Sequence, residues 1–144
     1  LEFKSSARWD YHQNKTNKVL EKVIVKTIAG FMNAGGGVLF IGVDDDGNPL
    51  GLQKDYDSLQ KKDRDGFELF LVKLLSDNLG RDRLSDIDIE FIEYDDLEVC
   101  SVNVRPGDRP VFVEKQNQAF FVRTGNNTQN LNTKEALDYI ERRF

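Results

Sequence analysis

The sequence predicts one α+β domain spanning residues 1–144, with a mainly antiparallel sheet of about five or six strands and three helices. Apolar residues spaced three and four apart predict amphipathic helices over residues 16–34 and 67–79. Residues 86–94 and 98–105 instead alternate apolar and polar side chains, which is typical of strands with one buried face. No internal repeat or second domain is visible, and 144 residues suffice for a hydrophobic core.

The composition excludes several classes of protein. No apolar run approaches the length of a membrane span and no secretory signal is visible, so we expect a cytoplasmic protein without a membrane partner. Cys100 is the only cysteine and His12 the only histidine, which excludes an internal disulfide, a thiolate cluster and a zinc site built from several histidines. The net charge of −5 argues against nucleic-acid binding over the whole surface, but not against a local basic face.

The chain opens on a predicted strand, Glu2–Lys4, in which Phe3 faces one way while Glu2 and Lys4 share the other face. A carboxylate and an ammonium group in this spacing are either an ordinary surface ion pair or part of a site. In a site, they would bind a metal ion and a water molecule or phosphate. Because the strand pattern begins at the first residues, we expect the chain to have been excised from a longer protein.

Residues 8–15 are polar and irregular but contain Trp9 and Tyr11. Beside Arg8 and Lys15, such aromatic side chains are suited to stack on nucleic-acid bases. Aromatic residues in this setting more often cover the edge of a core, and the sequence leaves both interpretations open.

The helix predicted over residues 16–34, capped by Thr16 or Asn17, carries a row of lysines. The row recurs every three or four residues along one side and consists of Lys15, Lys18, Lys22 and Lys26. Such a row is usually a solvated face. In an acidic chain it is also the most concentrated positive surface, so it is the candidate contact face for a phosphate backbone.

A glycine turn, an apolar strand and three aspartates follow this helix. The glycines at 35–37 end the helix, and the run 38–43 predicts a strand covered on both faces. An Asp-Gly pair then predicts a hairpin, in which Asp45 and Asp46 are turn residues or site residues. Asp44 comes directly after the buried strand, so it is either the best candidate for a site carboxylate or the first residue of the turn.

The later elements follow the same rules. Residues 55–65 are predicted to be a polar loop with a short turn, and residues 95–96 turn the alternating segments into an antiparallel hairpin. The segment 118–123 is predicted to be the last strand. Asn132 caps the final helix, with Glu135 at the position that completes a capping box.

Arg123 ends the last predicted strand beside a polar loop, residues 124–128. The loop offers backbone N–H groups together with the side chains of Thr124 and Asn126, and these groups suit a phosphate. The alternative is a polar turn with an Arg–carboxylate pair.

Several motifs in this order resemble one known family. They are EFK at 2–4, IAGFMNAGGG at 28–37, LFIGVDDDGNPLGL at 39–52 and FFVRTGNNTQNL at 120–131. Together they resemble the Schlafen-type AlbA_2 domain, which occurs in many bacterial proteins and in the animal Schlafens. The resemblance covers nearly the whole chain.

The resemblance implies an α+β domain associated with nucleic acids. Bacterial members are described as DNA-binding domains that often precede helix-turn-helix regions in transcriptional regulators, and some Schlafens cleave transfer and ribosomal RNA with three carboxylates and a divalent metal. Carried over to this chain, the acid of the EFK motif is Glu2. The acid after the glycine-led strand is Asp44, or alternatively Asp45. The third family acid, a glutamate, precedes the EFK motif and falls before Leu1.

Three functions follow as hypotheses. The favoured one is a nucleic-acid-binding module, for DNA or RNA, that uses the lysine row with Arg123, Thr124 and Asn126. The second is a Schlafen-type endoribonuclease whose catalytic residues are Glu2, Lys4 and Asp44, with Mg²⁺ or Mn²⁺ held by Glu2, Asp44 and Asp45. The third is a protein-interaction or oligomerisation domain, for which a homo-oligomer stays open.

Overall fold

The computed structural model of the chain describes all residues from 1 to 144. Eight strands, four α-helices and two 3₁₀ helices follow one another along the chain. The strands are β1 (Glu2–Lys4), β2 (Trp9–Asp10), β3 (Lys15–Thr16), β4 (Gly37–Ile41), β5 (Ile87–Tyr94), β6 (Leu97–Val104), β7 (Phe120–Thr124) and β8 (Asn127–Leu131). The helices are α1 (Lys18–Asn33), α2 (Gln53–Asp57), α3 (Arg64–Leu79) and α4 (Thr133–Arg143), with 3₁₀ helices at Arg81–Asp86 and Glu114–Gln116.

The central sheet has four strands in the order β1-β4-β6-β5. β1 runs parallel to β4, whereas β4 pairs with β6 and β6 with β5 in the antiparallel sense. In the parallel pair, Glu2 lies opposite Leu39 and Lys4 opposite Ile41. Two further pairs of strands, β2–β3 and β7–β8, form separate antiparallel hairpins.

The main core lies between one face of this sheet and the helices α1 and α3. Leu39 and Ile41 point into it from β4, and Cys100 and Val102 do so from β6, all of them fully buried. Cys100 thus lies on the buried face that the alternation of residues 98–105 predicts, and burial raises the pKa of its thiol. Along each strand the intervening side chains point to the opposite face, which carries none of this core.

The β7–β8 hairpin lies across the C-terminal half of α1 and is covered on its other side by α4. Close contact is possible because α1 has a glycine here: a Cβ atom on Gly30 would lie 2.9 Å from the Cγ2 atom of Thr128. The amide of Asn33, at the end of α1, donates to the carbonyls of Val111 and Phe121, both at 2.9 Å. The last third of the chain is thus fixed directly to the first helix.

The helix termini agree with the sequence. The Asn17 side chain accepts a hydrogen bond from the Val19 N–H at 3.0 Å, and Asn132 and Glu135 form the predicted capping box. The turn at 95–96 joins β5 to β6, and both of its residues have positive φ, 50° and 66°. None of the helices is both long enough and apolar enough to cross a bilayer.

The α+β class is confirmed, but the predicted five or six strands and three helices were too few. β2 and β3 are two residues each, which is too short for alternation to show. β8, with sequence NTQNL, is almost entirely polar, so the expected loop 124–128 is instead a tight turn entering a strand. The expected loop at 55–65 is entered by α2, a helix of only five residues that begins before it at Gln53. β4 is also less buried than predicted, since only Leu39 and Ile41 of its residues are buried.

Candidate functional site

The row of lysines forms one edge of the molecule beside α1, here called the lysine edge: Lys15, Lys18, Lys22 and Lys26. Lys15 lies on β3 and the other three lie on α1. The first three are exposed, while Lys26 is partly buried with its Nζ atom 5.9 Å from the centre of the Phe121 ring. None of the four forms an ion pair with a carboxylate. The four lysines of the predicted row therefore carry positive charge without an ion-pair partner.

Arg123 is not a free cation, because its side chain is only 8% exposed and all of its nitrogens have partners. Nη1 pairs with the Glu2 carboxylate, Nη2 donates to the Leu1 carbonyl at 3.2 Å, and Nε donates to the Gly125 carbonyl at 3.1 Å. The guanidinium carbon also lies 5.2 Å from the centre of the Phe31 ring. Of the two interpretations left open by the sequence, the structure contains the Arg–carboxylate pair, which joins β7 to β1 and α1.

Thr124 and Asn126 are exposed at the tip of the β7–β8 hairpin. Gly125 between them has a φ of +63°, and Thr124 pairs with Asn127 across the two-residue turn. This tip is a short hairpin turn of the kind that begins with glycine, not an open phosphate-binding loop. The hydroxyl of Thr124 and the amide of Asn126 nevertheless face solvent.

Asp44 caps its own turn. Its Oδ1 atom accepts hydrogen bonds from the backbone N–H groups of Asp46 at 3.0 Å and Asn48 at 2.8 Å. Aspartate often closes a turn in this way. Asp44 is therefore the first residue of the turn, which is the alternative that the sequence left open. Asp45 and Asp46 are exposed.

The predicted metal ligands Glu2 and Asp44 lie on different elements and make different contacts. Glu2 lies opposite Leu39 at the beginning of the pair, whereas Asp44 lies beyond the other end of β4. Glu2 is paired with Arg123 and has the Nζ atom of Lys4 at 3.9 Å, while Asp44 is bonded within its turn. No group of three or more acidic, histidine or cysteine side chains is placed to hold a metal ion. Both carboxylates are thus engaged by neighbouring groups of the chain itself.

Lys4 and Asp45, by contrast, line one cleft of about 230 Å³ together with Trp9 and His12. The cleft lies between the end of β1, the β2–β3 hairpin and the first turns of α1. Tyr11 also lines it and is 42% exposed, so its ring is accessible to a stacking partner. Trp9 is half-buried, with the Nζ atom of Lys54 5.5 Å from its ring centre.

Sequence reasoning did not predict one structural carboxylate beside this cleft, Asp55. Asp55 is 1% exposed and accepts hydrogen bonds from the Ser6 hydroxyl at 2.6 Å, the Ala7 N–H at 3.0 Å and the Arg8 N–H at 3.1 Å. Burial raises the pKa of Asp55, against the lowering effect of these hydrogen bonds. It fixes the segment that forms one wall of the cleft. Its partners lie almost fifty residues away in sequence, so no local pattern marks it.

The fold and the motifs define a class of small α+β domains. Comparison with known proteins identifies the family. Residues 1–132 match the family model described as Schlafen, AlbA_2. The chain therefore belongs to the Schlafen AlbA_2 family, which links it to nucleic acids at the level of the family.

Fourteen chains of solved structures also match. One is the crystal structure of the DIP2311 protein from Corynebacterium diphtheriae, with a TM-score of 0.67 and 17% sequence identity. The match covers 99% of this chain and 24% of that one, so this chain spans about a quarter of the length of that protein. At this identity the similarity concerns the fold alone. No curated protein matches the chain.

Proposed function

We propose that this domain binds a nucleic acid by its phosphate backbone through the lysine edge. The observation that carries the proposal is four neighbouring lysines without a carboxylate partner, in a chain whose net charge is −5. In a longer parent protein, such a module would hold an attached region on DNA or RNA, as in a transcriptional regulator.

The position of the lysines supports a role in binding over a role in folding. Lys18 is the first residue of α1, and Lys15 lies three residues before it on β3. The N-terminal end of a helix carries partial positive charge, so cations there destabilise the helix slightly and favour an anionic ligand. Elsewhere in the chain, eight other Lys and Arg side chains are held in ion pairs.

Other predicted contact residues take different parts in this proposal. Thr124 and Asn126 would add neutral hydrogen bonds to phosphate or sugar from the hairpin tip. Tyr11 would stack on an unpaired base of a single-stranded nucleic acid. Arg123 would hold the hairpin in place without touching the ligand, since its donors are already occupied.

The test is to measure affinity for a DNA duplex and an RNA hairpin over a range of salt concentrations. Lys18→Gln combined with Lys22→Gln should weaken binding roughly tenfold at low salt. The negative slope of log K against log salt should become shallower by about 2. Glutamine is a good helix former, so the fold should be kept. The slope reports the number of phosphates that the protein contacts. A general loss of stability would lower the amount of folded protein but would not change this slope.

A matched control neutralises two exposed lysines that lie elsewhere, Lys61→Gln combined with Lys73→Gln. This variant should retain wild-type affinity and salt slope. Equal losses in both double variants would mean that binding depends on overall charge, and unchanged binding in the first variant would remove the lysine edge as the site. The preference for DNA or RNA follows from the two ligands measured side by side.

A further inference from the structure

We infer that the uncovered face of the central sheet docks a polypeptide segment whose apolar side chains are flanked by Lys and Arg. This surface, here called the open face, is the side of the sheet away from α1 and α3. Its apolar residues are Phe3, Val38, Phe40, Ile92, Tyr94 and Val99. The inference is independent of the lysine edge and of nucleic-acid binding.

Strand alternation places these residues away from the core. Phe40 lies between Leu39 and Ile41, which are fully buried beneath α1 and α3. Val99 likewise precedes the core residue Cys100 on β6. None of the six open-face residues belongs to the main core cluster or to the partly buried residues packed against it. The sheet therefore carries apolar side chains on a face that its helices do not cover.

These side chains form a groove with accessible apolar walls. The groove has a volume of about 270 Å³ and is lined by Phe3, Phe40, Val43, Gly47, Pro49, Ile92, Tyr94 and Val99. Ile92 is 40% exposed and Tyr94 57% exposed, while the rings of Phe3 and Phe40 pack with their centres 6.0 Å apart. A contiguous apolar surface of this kind, unlike single exposed apolar residues, is characteristic of protein interaction sites.

Acidic residues, here called the acidic rim, adjoin the groove-lining residues along the chain, and their charges are not compensated. Glu90 precedes Ile92 on the same face of β5, and Asp95 and Asp96 directly follow Tyr94. Asp46 belongs to the turn whose Gly47 and Pro49 line the groove. None of these four carboxylates forms an ion pair, and no lysine or arginine lines the groove.

This charge distribution selects among possible occupants. A nucleic acid would be repelled by the rim. A second copy packed face to face about a two-fold axis would bring the two acidic rims together, which is unfavourable. A segment with apolar side chains between basic ones would fill the groove and neutralise its rim, so it is the occupant that complements the surface.

The experiment uses a fluorescent amphipathic peptide of Leu and Lys, about three helical turns long, titrated with the 144-residue chain. Two control peptides replace every Lys by Glu or every Leu by Ser. The Leu/Lys peptide should bind, and both controls should bind at least tenfold more weakly. Failure of the Leu/Lys peptide to bind, or equal binding by either control peptide, would overturn the inference.

Variants of the protein locate the binding. Ile92→Ser combined with Tyr94→Ser should weaken peptide binding at least tenfold. The matched control is Leu69→Ser combined with Leu137→Ser, on α3 and α4, whose side chains are 64% and 63% exposed. This control should keep wild-type affinity. Equal losses in the two double variants would overturn the inference.

The acidic rim is tested separately by Asp95→Asn combined with Asp96→Asn. Asparagine tolerates the positive φ angles of this turn, so the hairpin should be preserved. Peptide affinity should fall severalfold and depend less on salt, whereas Asp138→Asn with Glu141→Gln on α4 should change neither. An unchanged affinity and salt dependence in the first variant would contradict the proposed charge complementarity.

Two further measurements distinguish peptide docking on the open face from self-association and from binding at the lysine edge. Sedimentation at increasing protein concentration should show no self-association that depends on Tyr94, and such self-association would make a second copy the occupant. The Lys18→Gln, Lys22→Gln variant should bind the peptide like the wild type. The docking inference and the proposed nucleic-acid function can therefore fail separately.

Discussion

The lysine edge and the open face carry opposite charge, and they differ in what lies beneath them. Next to the lysine edge, α1 is fixed to the last third of the chain by the Asn33 amide and by the contact of Arg123 with the Phe31 ring. The open face carries no helix, and Ile92 and Tyr94 are exposed on it although Val99 is buried. Unpaired lysines on a fixed helix and apolar residues on a sheet face without helices are therefore two different kinds of available surface.

The largest effect is expected at Asp55, which fixes the segment from Ser6 to Arg8. Asp55→Ala would leave the Ser6 hydroxyl and the Ala7 and Arg8 N–H groups without their acceptor in a buried site. We expect a loss of about 3 kcal/mol in the free energy of unfolding. Urea denaturation measures it, and a loss below about 1 kcal/mol would show that the segment is held by other contacts.

The same carboxyl makes stability depend on pH. Burial raises the pKa of Asp55 above its ordinary value of 3.8, so the folded protein binds this proton more tightly than the unfolded chain does. The contribution of this group to stability should therefore decrease as the pH rises from about 4 through the raised pKa. Urea unfolding of the wild type and of Asp55→Asn across this range tests the sign, since the variant should lack this decrease.

Arg123 is expected to have the next largest effect, and it separates stability from binding. Arg123→Ala removes the pair with Glu2, the contact with Phe31 and the bond to the Leu1 carbonyl, leaving Glu2 without its arginine. We expect about 2 kcal/mol of destabilisation. Measured at a temperature where the variant is folded, nucleic-acid affinity should stay within about threefold of the wild type, because the lysines remain.

Lys18 should behave in the opposite way. Lys18→Glu places an acid at the first residue of α1, where it complements the helix dipole, so stability should rise by about 0.5 kcal/mol. Nucleic-acid affinity should nevertheless fall more than in Lys18→Gln. Thermal unfolding and binding measured on the same sample check both signs, and a destabilised variant would mean that Lys18 has a structural contact.

The smallest effect on folding is expected on the open face. Tyr94 is 57% exposed, so Tyr94→Ser should change the free energy of unfolding by less than about 0.5 kcal/mol. Urea midpoints measure this change. A much larger loss would show that Tyr94 packs against the fold and is not an available docking residue.

The sequence predicted the elements whose signals are local. The helix caps at Asn17 and Asn132, the turn at Asp95 and Asp96 and the buried Cys100 all follow from neighbouring residue types and spacing. β8 was missed because its polar side chains alternate without an apolar period. α2 was missed because its five residues are too few for a helical period to show.

The candidate site was predicted only in part, because its chemistry depends on distant partners. The spacing of Lys18, Lys22 and Lys26 was enough to predict the edge that they form. The state of Arg123 could not be decided, since the carboxylate that pairs with it is 121 residues away in the chain. The position of Glu2 opposite Leu39 depends on the register of two parallel strands, which neither strand's sequence encodes alone.

The contact between Arg123 and Glu2 also bears on how the chain is made. β1 is an edge strand of three residues, paired in parallel with β4 and held by an arginine on the next-to-last strand. A contact that spans so much of the sequence forms late, because closing a long loop is entropically costly. During translation β1 would therefore remain without its arginine partner until β7 has been synthesised. The helices and the β5–β6 hairpin, whose contacts are local, would form first.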